Sequence, residues 1–511
     1  MNDQHRKESF SLAQSWLKIW SLHLCVLGAV VIFGGCTVGP NYHRPAAEVP
    51  AKWDTTAPWR EGTPMDNLPK GAWWSVYQDE ELNALEQQAL DANQTLKVSV
   101  AHLEQARATA AVQVATNFPT FGLVPSSTQP SAERNRLSGG RPTTSPNISS
   151  KAFTENTYTI PFAVNYEVDL FGQRRRSIES AQAAYQANAA DLENVRLVIT
   201  AELAGDFFTL RQQDTEIGIL NRTVDALTKG LQLVQSRHDG GVASGLDVAQ
   251  EETFLDTART QAILLQQQRK QSEDAIAVLI GKPAPDFHLA PREIESTAPD
   301  IALGLPSDLL ERRPDVAEAE RQMASTNAQI GVAKAAFYPS LNLFGGTGFQ
   351  TANVANLITG PSIFWALGAN IAEPIFTGGT RRAQLQYARA GYDASVAGYR
   401  ATVLNAFREV QDSVTGLSVL EQAQQAQQAA VNSARNTLDI STNRYQGGLV
   451  SYLDVVTAQQ TLLSNEEQLA TIRGQRLVTS VLLVKALGGG WDSASLSAVH
   501  VKTQLKDIVL P

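Results

Sequence analysis

Two cysteines, seven histidines and three methionines in 511 residues leave this sequence short of the side chains that staple small folds or bind soft metals. The histidines are scattered, with none at ligand spacing from a cysteine or carboxylate, so no metal is expected. No Gly-Lys-Ser/Thr phosphate loop and no Gly-x-Ser-x-Gly elbow occurs, so the reading is of a non-enzyme without catalytic residues or cofactors. Basic excess is also missing: 42 Lys+Arg stand against 51 Asp+Glu, a formal charge of −9, which argues against nucleic acid as a partner. Proline is absent between Pro161 and Pro283 and again between Pro374 and Pro511. Long helices can run unbroken there. At 43% hydrophobic residues the chain has ample core material and is not of disordered composition.

No apolar run reaches the roughly 20 residues of a spanning helix. The longest, from Ile19 to Phe33, follows Arg6, Lys7 and Lys18 and ends in Phe33-Gly34-Gly35-Cys36. That is the layout of a signal peptide (1–35) ending in a sequence that resembles a bacterial lipobox, with Phe33 in place of the usual Leu. An uncleaved anchor is the alternative. Cleavage removes Cys25, leaves Cys36 as the lipid (palmitate) attachment site and excludes an intrachain disulfide. Thr37, rather than Asp, after the cysteine resembles an outer-membrane address.

The proline-free blocks, about 174–238 and 381–445, are rich in Ala, Gln, Glu, Arg and Leu, and each as one helix would span about 95 Å. In the second, Tyr392, Val396, Tyr399, Val403, Ala406, Val410, Ser413, Leu417 and Leu420 alternate steps of four and three, a heptad seam that needs partner helices. The sequence is also duplicated. An offset of 207 carries Arg237 onto Arg444, Gly240-Gly241 onto Gly447-Gly448, Ser244 onto Ser451 and Asp247 onto Asp454; an offset of 220 carries Phe118-Pro119-Thr120 onto Tyr338-Pro339-Ser340. Each half reads helix, strand, strand, long helix, turn, helix.

Strand periodicity is clearest at Tyr158, Ile160, Phe162, Val164, Tyr166, Val168 and Leu170, which alternate with small or polar residues, and at Ile363, Trp365, Leu367, Ala369 and Ile371. Tyr158, Phe162, Val164, Tyr166, Ile363, Trp365 and Leu367 are the expected lipid-facing positions of a membrane barrel; a soluble half-buried hairpin is the alternative. Weaker strands begin at Phe118 and Tyr338, and 126–150, rich in Ser, Thr, Pro, Gly and Asn, reads as an external loop. Four strands cannot close a barrel in lipid. Two chains would give eight and a filled interior, whereas three give twelve and a lumen, so a homotrimer is expected.

Several stretches carry a resemblance to a known family: Cys36-Thr37-Val38-Gly39-Pro40-Asn41-Tyr42, Trp73-Trp74, Tyr166-Glu167-Val168-Asp169-Leu170-Phe171-Gly172, and above all Leu305-Pro306-Ser307-Asp308-Leu309-Leu310-Glu311-Arg312-Arg313-Pro314-Asp315-Val316. The mature chain resembles the outer-membrane factors, TolC/OprM-like, and within them the NodT-type lipoproteins of RND efflux systems. The resemblance implies an α+β membrane protein. Twelve strands per trimer would form an outer-membrane β-barrel continued by a long periplasmic α-helical barrel, with a mixed equatorial domain. It also implies a passive exit duct partnered by a periplasmic adaptor and an inner-membrane RND or MFS pump. The expected divisions are 36–78 as an extended N-terminal segment, 79–282 as the first repeat (strands about 118–171), 283–305 as a linker, 306–488 as the second repeat (strands about 338–376) and 489–511 as a tail.

The two glycine turns lie where the long rods reverse, and the resemblance places such turns at the periplasmic tip. Gly240, Gly241, Ser244, Asp247, Gly447, Gly448, Ser451 and Asp454 are therefore candidates for adaptor docking, and Arg237, Asp439 and Arg444 for an ionic gate. The plain alternative is glycine C-caps and acidic N-termini of ordinary helical hairpins. A type I secretion duct and a non-conducting structural lipoprotein remain as other functions.

Overall fold

The structure, a computed structural model, describes residues 37–46, 49–50, 53, 71–123, 125–128, 157–299, 301 and 309–500. Cys36, the leader 1–35, most of the 126–150 loop, residues 305–308 of the family motif and 501–511 lie outside the described residues.

Seven helices dominate: α1 (Glu80–Ala92), α2 (Gln94–Ala115), α3 (Gln173–Asp239), α4 (Gly245–Leu279), α5 (Pro314–Ala335), α6 (Thr380–Gln446) and α7 (Tyr452–Ala486). The duplication is visible in their lengths, since α2 and α5 both have 22 residues, α3 and α6 both 67, and α4 and α7 both 35. At 1.5 Å per residue, α3 and α6 are each about 100 Å long. Pro314 opens α5 as its first helical residue, where its missing N–H costs nothing.

Between the helices lie five strand segments: β1 (Thr120–Leu123), β2 (Ser126–Thr128), β3 (Thr157–Val168), β4 (Ser340–Thr351) and β5 (Ile363–Ala372). All pairings are antiparallel, in the order β1-β3-β4-β5. β2 also pairs with β3 and keeps the β1 register: Thr120 faces Asn165 and Ser126 faces Thr159, six residues on in both strands. β1 and β2 are thus two parts of one strand, and the sheet is effectively four-stranded. Here the structure corrects the expectation that 126 opens an external loop. Ser126–Thr128 pair with β3, a partner that composition alone does not reveal.

Helical packing forms two main cores. The larger lies midway along the rods, where the α6 seam residues Tyr399, Val403, Ala406, Val410 and Leu417 meet Phe207 and Phe208 of α3, Leu477 and Val481 of α7, and the preceding Trp73 and Tyr77. The second lies at the far ends of the rods, around Leu227, Val234, Phe254, Leu255, Tyr445, Tyr452 and Val456. Among the described residues no helix is long and apolar enough to cross a membrane.

Candidate functional site: an open sheet and a two-hairpin tip

The sheet register sorts the strand residues into two faces. Phe121, Val164, Gly345 and Leu367 form one row across the strands; two residues along, Leu123, Phe162, Thr347 and Trp365 form the next. Ile160, Phe349 and Ile363 continue the same face, as do Tyr158 beside Thr351 and Tyr166 beside Leu343. Phe121, Trp365 and Leu367 are 78%, 79% and 82% exposed in the single chain. The opposite face is mainly small or polar, with Phe344 and Phe364 as its aromatic exceptions: Gly122, Ala163, Gly346 and Ala366 form one row, and Glu167, Asn342 and Asn370 another. An apolar face so open to water marks a surface built for lipid or a partner. Among the described residues the β1/β2 edge and the β5 edge are both unpaired, and they run antiparallel to each other. Copies of the chain can therefore join edge to edge in the same antiparallel pattern, which supplies the missing backbone partners.

At the opposite end the two glycine turns are built alike. Gly241 and Gly448 have φ of +74° and +72°, the left-handed region that glycine occupies without a Cβ penalty. Val242 N–H donates to the Arg237 carbonyl at 2.8 Å and Gly241 N–H to His238 at 2.8 Å; Leu449 to Arg444 and Gly448 to Tyr445, both at 2.9 Å, repeat the pattern. This is the Schellman closure of a helix C-terminus. Each following helix opens on a serine–aspartate box: Asp247 accepts from the Ser244 N–H at 3.2 Å, and Asp454 from the Ser451 N–H at 3.0 Å. Gly240 and Gly447, the residues before the positive-φ glycines, cap α3 and α6. The eight docking candidates thus sit together as two cap structures.

Arg237 lies over the Tyr445 ring at 4.7 Å, and Tyr445 packs on Tyr452 with ring centroids 4.9 Å apart. Burial pushes the Tyr445 hydroxyl up, with Arg237 pulling it down and Asp247 adding to the rise. Asp439 and Arg444 are exposed, and among the described residues neither forms an ion pair within the chain. A gate that used them would need a neighbouring chain.

Sequence reasoning missed the buried ion clusters that hold each repeat together. Arg313, buried within the quoted motif, makes a forked contact to Asp315 at 2.9 and 2.6 Å and reaches Glu409 of α6 at 2.8 Å and the Ala486 carbonyl closing α7 at 3.0 Å. A second cluster lies deeper. Asp214 accepts from Arg211 at 2.7 Å and Arg269 at 2.6 Å; after α4, the Leu289 N–H donates back to Glu273 of α4 at 2.7 Å and the Arg292 N–H to Asp214 of α3 at 3.1 Å. The N-terminal segment crosses the bundle, with Val38 N–H bonded to Phe171 O at 3.1 Å and Tyr42 Oη to Glu320 at 2.5 Å. The residue types of Arg313-Pro314-Asp315 were the available signal for the first cluster; the others depend on long-range packing.

An open four-stranded sheet with one apolar face, set on paired rods of equal length, has counterparts among known proteins. The chain matches the outer membrane efflux protein family over residues 85–282 and 305–489. It belongs to that family. Similar relatives include "Outer membrane protein OprJ" of Pseudomonas aeruginosa, 31% identical over 470 residues (91% of this chain, 95% of that one). "Pyoverdine export outer membrane protein OpmQ" of the same species is 31% identical over 472 residues (92% and 97%). Among solved structures, the outer-membrane channel OprN superposes with a TM-score of 0.81 at 28% identity, covering 89% of this chain and 100% of that one. The fold is accordingly that of the family's outer-membrane channels, a β-barrel portion continued by an α-helical barrel, and the chain is an efflux channel of the outer membrane. Within the family frame, the sheet is its membrane end and the glycine turns lie at the other end of rods about 100 Å long.

Proposed function

We propose that the chain is the exit duct of a tripartite efflux system. Three copies close a twelve-stranded barrel, and substrates expelled by an inner-membrane RND or MFS pump pass through a periplasmic adaptor into the helical barrel. In this reading Tyr158, Phe162, Val164, Tyr166, Ile363, Trp365 and Leu367 face lipid, and Cys36 carries the lipid anchor after removal of 1–35. The glycine turns with their serine–aspartate boxes meet the adaptor, and Asp439 and Arg444 pair between chains as part of a closed tip. The observation that carries the reading is the sheet: its apolar face is exposed and, among the described residues, both its edges are open and antiparallel. Chemical energy comes from the pump, and cargo choice lies there as well, since a wide aqueous lumen selects weakly.

Planar-bilayer recording of the purified protein tests this. A trimer in detergent that gives discrete aqueous conductance steps is expected, with Arg444→Ala and Asp439→Ala raising the open fraction. A monomeric species that never conducts would contradict the duct and favour a structural lipoprotein.

A further inference from the structure

The tip core contains one group that the hairpin caps do not explain. Glu251, nearly two turns into α4, is fully buried, and neither carboxyl oxygen makes a well-formed hydrogen bond among the described residues, although Tyr452 and Gln459 face it. Its carboxyl lies against α3 at Gly230, where an added Cβ would come within 2.4 Å of Glu251 Oε1 and 3.5 Å of Tyr452 Oη. The missing side chain at 230 is what makes room for the acid. In the second hairpin, 207 residues on, the corresponding positions are Ala458 and Thr437. One hairpin therefore replaces an ordinary small-residue contact with a Gly–Glu pair, and turns the acid toward Tyr452 of the other hairpin. Gln459 of α7 also faces it, and its buried Oε1 likewise lacks a partner. Ionising such a group costs free energy, because Tyr452 and Gln459 replace the lost water only in part.

We propose that Glu251 is a proton-operated latch between the two tip hairpins: its neutral carboxyl packs against Gly230 and Tyr452 and holds α4 to α7, and its ionisation draws in water and loosens that contact. The groups facing it are few. From α7 Tyr452 faces it directly; Tyr445 of α6 and Asp247 of α4 act on Tyr452, and Arg237 of α3 is held over Tyr445. No cation pairs with Glu251 among the described residues. Burial raises its pKa from 4.5 to about 7, with Tyr452 and Gln459 opposing the rise. The sign follows: the raised value means the packed state holds the proton more tightly, so packing is undiminished below about 4.5 and weakens as pH rises through about 7. Between about 4.5 and about 7 each pH unit favours the loosened state about tenfold, and above about 7, where the group is ionised in both states, the effect levels off.

The latch depends only on how the hairpins pack, so a failure of the duct reading would leave it standing, and its test needs no conduction. Hydrogen exchange of the tip amides in α4 and α7, corrected for intrinsic rate, is measured on the full-length protein at pH 6 and pH 8. In the wild type, protection is expected to fall by about tenfold between these values. Glu251→Gln, which keeps the shape and removes the charge, should hold the same protection at both. Glu251→Ala, matching Ala458, should also be pH-independent whatever its absolute protection. A wild type with unchanged protection, or a pH response that persists in either variant, overturns the proposal.

Discussion

Leu367→Arg is the sharpest perturbation of the sheet. Leu367 is near the middle of β5, pairs with Gly345 and is 82% exposed on the apolar face. An arginine at the bilayer midplane on a lipid-facing position costs about 2–4 kcal/mol, and a trimer would meet that cost three times, roughly 6–12 kcal/mol per assembly. The neighbouring Ala366 points to the other face, in the row of Gly122, Ala163 and Gly346, where the small side chains leave room for a long one that reaches water. Ala366→Arg should therefore be nearly silent. The assay is the fraction of chains recovered from outer membranes as a species that stays oligomeric in cold detergent and dissociates on heating. Leu367→Arg is expected to remove most of that species and Ala366→Arg to leave it. Equal behaviour of the two variants would refute the assignment of faces, because only their direction from the sheet differs.

Three other outcomes follow from the geometry. Gly448→Ala, at φ +72° with open space where the Cβ would go, should lower tip stability by about 1–2 kcal/mol through backbone strain alone, and Gly448→Asn by less; hydrogen exchange at the ends of α6 and α7 reads this. Arg313→Ala removes the fork that links α5, α6 and the end of α7, and should cost about 3–5 kcal/mol by denaturation midpoint, with Arg313→Lys recovering part of the loss because it restores charge but not the fork. Glu318 is raised to about 7 by burial first and then by Asp191 and Asp315, so it favours the folded chain least when ionised. Thermal stability is expected to decline as pH rises from about 5 to 8, and Glu318→Gln to flatten that decline; an unchanged slope would assign the pH response to other groups.

The long rods were legible because nothing interrupts them. Missing prolines and the alternation of Tyr399, Val403, Ala406 and Val410 define both the helix and its buried stripe, and the expected 381–445 block is Thr380–Gln446 in the structure. Register in the repeat was legible for a similar reason, since identical glycine and serine–aspartate spacings impose identical caps. Strand continuity was harder to see. Ser126–Thr128 carries no apolar alternation and becomes a strand only because it extends the β1 register along β3. Buried charge was not legible at all: Glu251, Asp214 and Glu273 sit in polar helical stretches that read as solvated faces, and only the packing of distant helices desolvates them. Arg237 illustrates the same limit. Its position beside the turn was visible in the sequence, but the Tyr445 ring beneath it comes from the other repeat.

Closure of one barrel by the open sheet edges of separate chains is tested directly by cross-strand trapping. Single cysteines along β1, at Phe121 and Leu123, are combined with cysteines along β5, at Leu367 and Ala369, in full-length protein oxidised in its native membrane. At least one pairing is expected to yield a covalent ring that migrates as three chains and reverts to one on reduction. Cross-linked dimers with no trimer, open ladders of increasing size, or no linkage in any pairing would contradict the account.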